Sequence, residues 1–129
     1  MSRRVYLDHN ASTPVHPEVV AEMLPYFSEK FGNPSSVHGF GREARAGMDA
    51  ARDRVARFLK VAPEEVVFTS GGTESDNMAL KGIAYARGRG HFITSKIEHH
   101  AVLRACQWLE SQGFDVTYVG VDEHGMVDP

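Results

Sequence analysis

Cysteine is nearly absent from this sequence: Cys106 stands alone in 129 residues. No internal disulfide can form, which excludes a stapled secreted scaffold and fits a reducing, cytoplasmic compartment. No apolar run approaches the roughly 20 residues needed to span a bilayer, so no membrane association is expected. The polar opening Met1-Ser2-Arg3-Arg4 is not followed by the apolar stretch of a signal peptide. Basic residues are scattered and the formal net charge is -3, which leaves no electrostatic footprint for nucleic acid. The expected partner is a small molecule or another protein. At 42% hydrophobic the chain holds enough apolar material for one modest core, a single domain or part of one.

What is present is an alternation of patterns. Val5 to Pro14 forms a short extended lead-in, with Asn10, Ser12 and Thr13 as a turn cluster. Pro17 sits where a helix can begin, and Val19, Val20, Met23, Leu24 and Phe27 recur at helical spacing, with a kink or stop expected at Pro25. The loop from Phe31 to Ser36 ends that element. From about Gly41 to Lys60 the apolar positions Ala44, Met48, Ala51, Val55 and Phe58 or Leu59 mark an amphipathic helix. Asp49 with Arg52 and Asp53 with Arg57 are spaced for surface ion pairs. After the Pro63-Glu64-Glu65 turn, strand-like runs near 66–70, 91–95 and 115–119 alternate with helix-like stretches near 73–87 and 99–112. That order predicts right-handed βαβ units and a parallel sheet. The division expected is 1–62 as lead-in and helices, and 63–129 as the first strands and helices of a ligand-binding sheet. The stretch from Asp122 to Pro129 has the composition of a turn.

Val66 to Ser70 breaks into Gly71-Gly72-Thr73-Glu74, which suggests strand, tight loop and helix N-terminus. Such a corner aims unpaired N–H groups and the positive end of a helix dipole at one spot, as a phosphate requires. The same residues also fit a plain connection with Thr73 as N-cap. No lysine follows in the G-x-x-x-x-G-K-[ST] manner, so a nucleoside-triphosphate loop is excluded. Gly39-Phe40-Gly41-Arg42-Glu43-Ala44 matches G-x-G-x-x-A, but no strand precedes it and the dinucleotide fingerprint fails on context. His99 and His100 open the next strand-to-helix corner. As helical neighbours they point about 100° apart and cannot share a metal. Cys106, on a stripe with Val102 and Leu109, is expected to be a buried, inert thiol.

Taken in order, Tyr6-Leu7-Asp8-His9-Asn10-Ala11-Ser12-Thr13-Pro14, Phe31-Gly32-Asn33-Pro34-Ser35-Ser36-Val37-His38, Phe68-Thr69-Ser70-Gly71-Gly72-Thr73-Glu74-Ser75-Asp76-Asn77 and Glu98-His99-His100-Ala101-Val102 resemble the amino-terminal part of the cysteine desulfurases. These are pyridoxal 5'-phosphate enzymes of the class V aminotransferase group. The resemblance implies an α/β fold, part of a large domain of the aspartate-aminotransferase type, with the cofactor at the carboxyl ends of the strands. It implies that Gly72 and Thr73 hold the phosphate and that His99 stacks on the pyridine ring and moves protons. It places Asn10 to Thr13 near the same cleft. Downstream strands would separate the run near 66–70 from the other two.

For a full-length protein the resemblance implies removal of sulfur from L-cysteine, giving alanine and an enzyme persulfide for iron–sulfur cluster or thio-cofactor assembly. A homodimer and a sulfur-acceptor or scaffold protein follow from the same resemblance. The family's Schiff-base lysine, pyridinium-pairing acid, cofactor glutamine and persulfide cysteine belong to its downstream sequence. None of Lys30, Lys60, Lys81 and Lys96 has the Ser-x-His-Lys setting. The chain therefore looks truncated, and by itself is expected to be inactive and a poor independent folder. Two other readings stay open: a non-catalytic binding or assembly piece of a split protein, and another class V enzyme such as selenocysteine lyase.

Overall fold

The computed structural model describes residues 4–128. The opening Met1-Ser2-Arg3 and the final Pro129 lie outside the described residues. The chain divides into two compact units, Met1–Val66 and Val67–Pro129.

In the first unit, α1 (Pro17–Met23) and α2 (Pro25–Ser28) are separated at Leu24. Each begins with proline at its first position, where the missing N–H costs nothing and the fixed φ suits the helix. The expected stop at Pro25 is thus the start of a second short helix. The long helix α3 (Gly39–Leu59) begins at His38, whose Nδ1 accepts the Gly41 N–H at 3.4 Å. It ends on Lys60 in the left-handed conformation, φ 58°. On its surface Asp49 is paired with Arg45 at 2.9 Å and Arg52 at 3.0 Å. The pair expected between Asp53 and Arg57 takes another form, with the Arg57 guanidinium donating to the Asp53 carbonyl at 3.4 Å. A single 3₁₀ turn, Pro63–Glu65, follows, closed by Glu65 Oε2 accepting the Ala62 N–H at 2.7 Å.

The second unit contains α4 (Gly72–Arg87), β1 (His91–Ser95), α5 (His100–Ser111) and β2 (Asp115–Val119). The strands β1 and β2 pair in parallel, His91 opposite Asp115 through Ser95 opposite Val119. One βαβ unit is therefore complete, and α4 packs along its helix α5. The core gathers on that helix pair: Ala84 from α4 and Ala101, Ala105, Cys106 and Leu109 from α5 are buried. Phe92 of β1 meets Phe114, just before β2, edge to face at 6.0 Å. After β2 the chain turns at Asp122, whose side chain accepts from the His124 and Met126 N–H groups.

The run near 66–70 differs from expectation, because the sheet of the described residues has two strands and these residues are in neither. An extended segment becomes a strand only beside a hydrogen-bonding neighbour. Here the Ser70 N–H is taken by the Glu74 side chain and the Val66 carbonyl accepts from Arg52.

Candidate functional site

Gly72 and Thr73 occupy the first two positions of α4, and Gly71 is its N-cap. The reading of Thr73 as N-cap is corrected: it lies two residues inside the helix, and no side chain caps this end. The first backbone bond to the cap is Ser75 N–H to the Gly71 carbonyl at 3.1 Å, so the earlier N–H groups face outward in the usual manner of a helix start. A Cβ built at Gly71 or at Gly72 meets nothing within 4 Å. That space is open to a ligand approaching the backbone. The Thr73 carbonyl accepts from Asn77 Nδ2 at 2.9 Å, which ties the first turn to the second.

The corner before α4 is held by its own hydroxyls. Thr69 Oγ1 and Ser75 Oγ are 2.7 Å apart, and both reach the Gly71 carbonyl, at 3.2 and 3.3 Å. Glu74 Oε2 accepts from both the Ser70 N–H and the Ser70 hydroxyl, each at 2.7 Å. The backbone donor, then the hydroxyl, hold the Glu74 carboxyl below its usual value. The sequence pattern alone does not single out Glu74. A partial signal is present, since an acid three residues past a cap position commonly folds back on the chain before it.

His99 is the N-cap of α5, its Nδ1 accepting the Ala101 N–H at 3.1 Å. An imidazole that accepts at Nδ1 carries its proton at Nε2 when neutral, so one nitrogen orients the ring and the other remains available. His100 lies beside it, with ring centroids 6.3 Å apart, and is the first residue of the helix proper. Cys106 is fully buried. Burial, then the nearby Glu110 and Glu98 carboxylates, push its thiol above the ordinary value, which suits a packing residue and not a nucleophile. In the first unit the Asn10 to Thr13 segment forms a local turn, with the Ala11 N–H donating to Asp8 and the Tyr6 hydroxyl 3.0 Å from Ser12 Oγ.

Chain order places the two corners at either end of one α4–β1 segment. The C-terminal end of α4 feeds β1 through Gly88 to Gly90, and the C-terminal end of β1 feeds α5 through Lys96 to His99. The α5 N-terminus follows the carboxyl end of β1, the edge where open α/β sheets bind ligands, and α4 packs along α5. The donor set of the two corners consists of backbone N–H groups, a hydroxyl and an oriented imidazole. It fits a phosphorylated aromatic cofactor, with the anion on the amides and the ring against the histidine.

Fold and corner together define a partial α/β piece whose helix α4 starts at a glycine corner with no side-chain cap. The chain belongs to the family described as Aminotransferase class-V, whose model matches residues 5–129. It is 54% identical over 132 residues to a cysteine desulfurase IscS of Dictyoglomus turgidum, covering 100% of this chain and 33% of that protein. It is 55% identical to a cysteine desulfurase IscS of Methanosarcina thermophila, covering 99% and 32%. Among solved structures, a NifS-like protein superposes with TM-score 0.88 at 46% identity, over 98% of this chain and 35% of that one. A structure of SspA in complex with cysteine gives TM-score 0.80 at 48% identity, over 88% and 33%. The chain thus spans about a third of the length of the curated relatives it matches, their amino-terminal third. Its fold is a partial α/β piece of the aspartate-aminotransferase type of large domain.

Proposed function

We propose that this chain is the cofactor-phosphate and ring-stacking part of a cysteine desulfurase, acting on L-cysteine with pyridoxal 5'-phosphate. The observation that carries the reading is the uncapped start of α4, where Gly71 and Gly72 open onto free space beside Thr73. When bound, the cofactor supplies an electron sink for charge that develops next to the substrate carboxylate. The amides of Gly72 and Thr73 hold the phosphate dianion, and the Thr73 hydroxyl adds a third donor. His99, its ring fixed through Nδ1, lies against the pyridine face and holds or moves a proton at Nε2. Persulfide formation, delivery of sulfur to an acceptor or scaffold protein for iron–sulfur or thio-cofactor assembly, a homodimeric state and a cytoplasmic location complete the reading.

The test is made in a protein that carries the remaining length of the relatives. Thr73→Ala weakens cofactor retention, by the roughly 1.5–3 kcal/mol of one hydrogen bond to a charged group. His99→Ala slows sulfide and alanine production more than it releases cofactor. If dialysis strips pyridoxal phosphate equally from both variants and the parent, Thr73 does not hold the phosphate. Preference for selenocysteine over cysteine identifies a lyase instead, and absence of turnover with either substrate identifies a non-catalytic assembly piece.

A further inference from the structure

Resting on the reading that Gly72 and Thr73 take a phosphate, we propose that Glu74 is the positioning residue of this corner, acting through Ser70 and not by touching the ligand. A carboxylate in the first turn of a helix can complement the helix dipole from solvent or fold back onto the N-cap backbone N–H. Glu74 folds back one residue further. One of its oxygens, Oε2, accepts both donors of Ser70 at 2.7 Å, reaching back past the N-cap Gly71 to the residue before it. The carboxylate is thereby engaged on the side of the loop that precedes the helix, and it caps none of the amides that begin α4.

The second clasp has the same effect. The Thr69 and Ser75 hydroxyls, 2.7 Å apart, both bear on the Gly71 carbonyl, so the bend is closed by oxygen atoms and the nitrogen side is left clear. A serine or aspartate at position 71 would cap the helix and occupy those amides. With glycine there, the corner loses that support and needs another. The Glu74 to Ser70 clasp supplies it without covering the anion site. Because one oxygen takes both bonds, the geometry needs an acceptor at that place and does not need a full carboxylate.

The experiment uses the same protein, carrying the remaining length of the relatives, with two substitutions that separate acceptor from charge. Glu74→Gln keeps an acceptor oxygen at the same reach, and Glu74→Met keeps length and helix propensity but has no acceptor. The probes are pyridoxal 5'-phosphate and inorganic phosphate, followed by amide chemical shifts, together with hydrogen exchange at the Ser70 amide. The parent and Glu74→Gln are expected to protect the Ser70 amide and to bind both probes alike. In Glu74→Met exchange at Ser70 accelerates and affinity for both probes falls roughly tenfold, the scale of losing one hydrogen bond. Binding by Glu74→Met equal to the parent overturns the proposal, and so does a loss in Glu74→Gln as large as in Glu74→Met. If Ser70 exchange responds as expected but the parent binds neither probe, the phosphate reading itself fails and the clasp is only structural.

Discussion

The two units of this chain are held by different means. The second closes a small core, with Leu109 and Cys106 fully buried among Ala84, Ala101 and Ala105. The first buries Gly41, Ala44 and Ala56 and little else, while Met23, Phe27, Phe31, Phe40 and Phe58 remain exposed. A groove of about 910 Å³ runs through it, lined by apolar side chains that include Val19, Met23, Tyr26 and Phe31. The βαβ unit covers one sheet face with its helix and leaves Ile93 of β1 69% exposed, whereas the amphipathic helix α3 lacks most of a second layer.

That contrast is broken or sharpened most strongly by deleting side chains. Leu109→Ala is expected to cost about 2–5 kcal/mol, because a fully buried leucine leaves a cavity as well as lost contacts. Phe58→Ala, at a residue 85% exposed, should stay within about 0.5 kcal/mol despite the larger side chain. Urea unfolding of the two variants measures both. Equal losses would mean that α3 is covered in solution by something the chain itself supplies.

Backbone packing gives the next effect, and here the order reverses. A Cβ at Gly41 would run into the backbone carbonyls of Ser36 and Asn33, which cannot swing aside. Gly41→Ala should therefore destabilise the first unit by about 1–3 kcal/mol. At Gly82, inside α4, a Cβ meets nothing, and Gly82→Ala should stabilise the second unit by about 0.5–1 kcal/mol. Opposite signs in thermal melts are the expected result. The first unit is thus ordered where backbone meets backbone, and the second where side chains interlock.

These differences mark how far the sequence could be read. Periodicity located α3, α4 and α5 to within a few residues, because each carries an apolar stripe on one face. The parallel pairing of β1 and β2 followed from strand and helix alternation. The run near 66–70 lies outside the two-stranded sheet of the described residues, because β-propensity describes a residue's fit to a sheet and the neighbours the resemblance implies for it belong to downstream strands. That Gly72, Thr73 and His99 sit at helix starts was legible through their corners. The Thr73 cap was not, because a hydroxyl beside a glycine pair looks the same two residues inside a helix as at its end. Asp53 and Arg57 were spaced for an ion pair, yet a long guanidinium on a solvated face reached a nearby carbonyl instead. Spacing permits such a pair without requiring it.

Helix ends offer a smaller comparison with matched geometry. Both α3 and α4 stop on a left-handed residue, Lys60 at φ 58° and Gly88 at φ 68°. Only glycine adopts that conformation without steric cost. Lys60→Gly should stabilise the first unit by about 1 kcal/mol, and Gly88→Ala should destabilise the second by a similar amount. Chemical denaturation of the pair checks it. If Lys60→Gly is neutral, the end of α3 frays in solution and the lysine never feels the strain.

The smallest expected effect concerns a polar contact at the margin of the second unit's core. The Tyr118 hydroxyl of β2 donates to Glu110 Oε2 of α5 at 2.7 Å. Partial desolvation first, then that bond and the Glu110 charge, push the phenol from its ordinary 10.0 up to about 12. A group whose folded value is raised contributes its stability in full below the unfolded value, so the contact is complete at neutral pH. Its contribution is lost as pH rises from about 10 through about 12. The phenolate absorbance of the parent minus that of Tyr118→Phe isolates one tyrosine among four. The difference step should fall near 12 in the folded chain and return to the ordinary value of about 10 in urea. A step at the same pH in both conditions would show that strand and helix are not clasped there, and that the second unit rests on its apolar contacts alone.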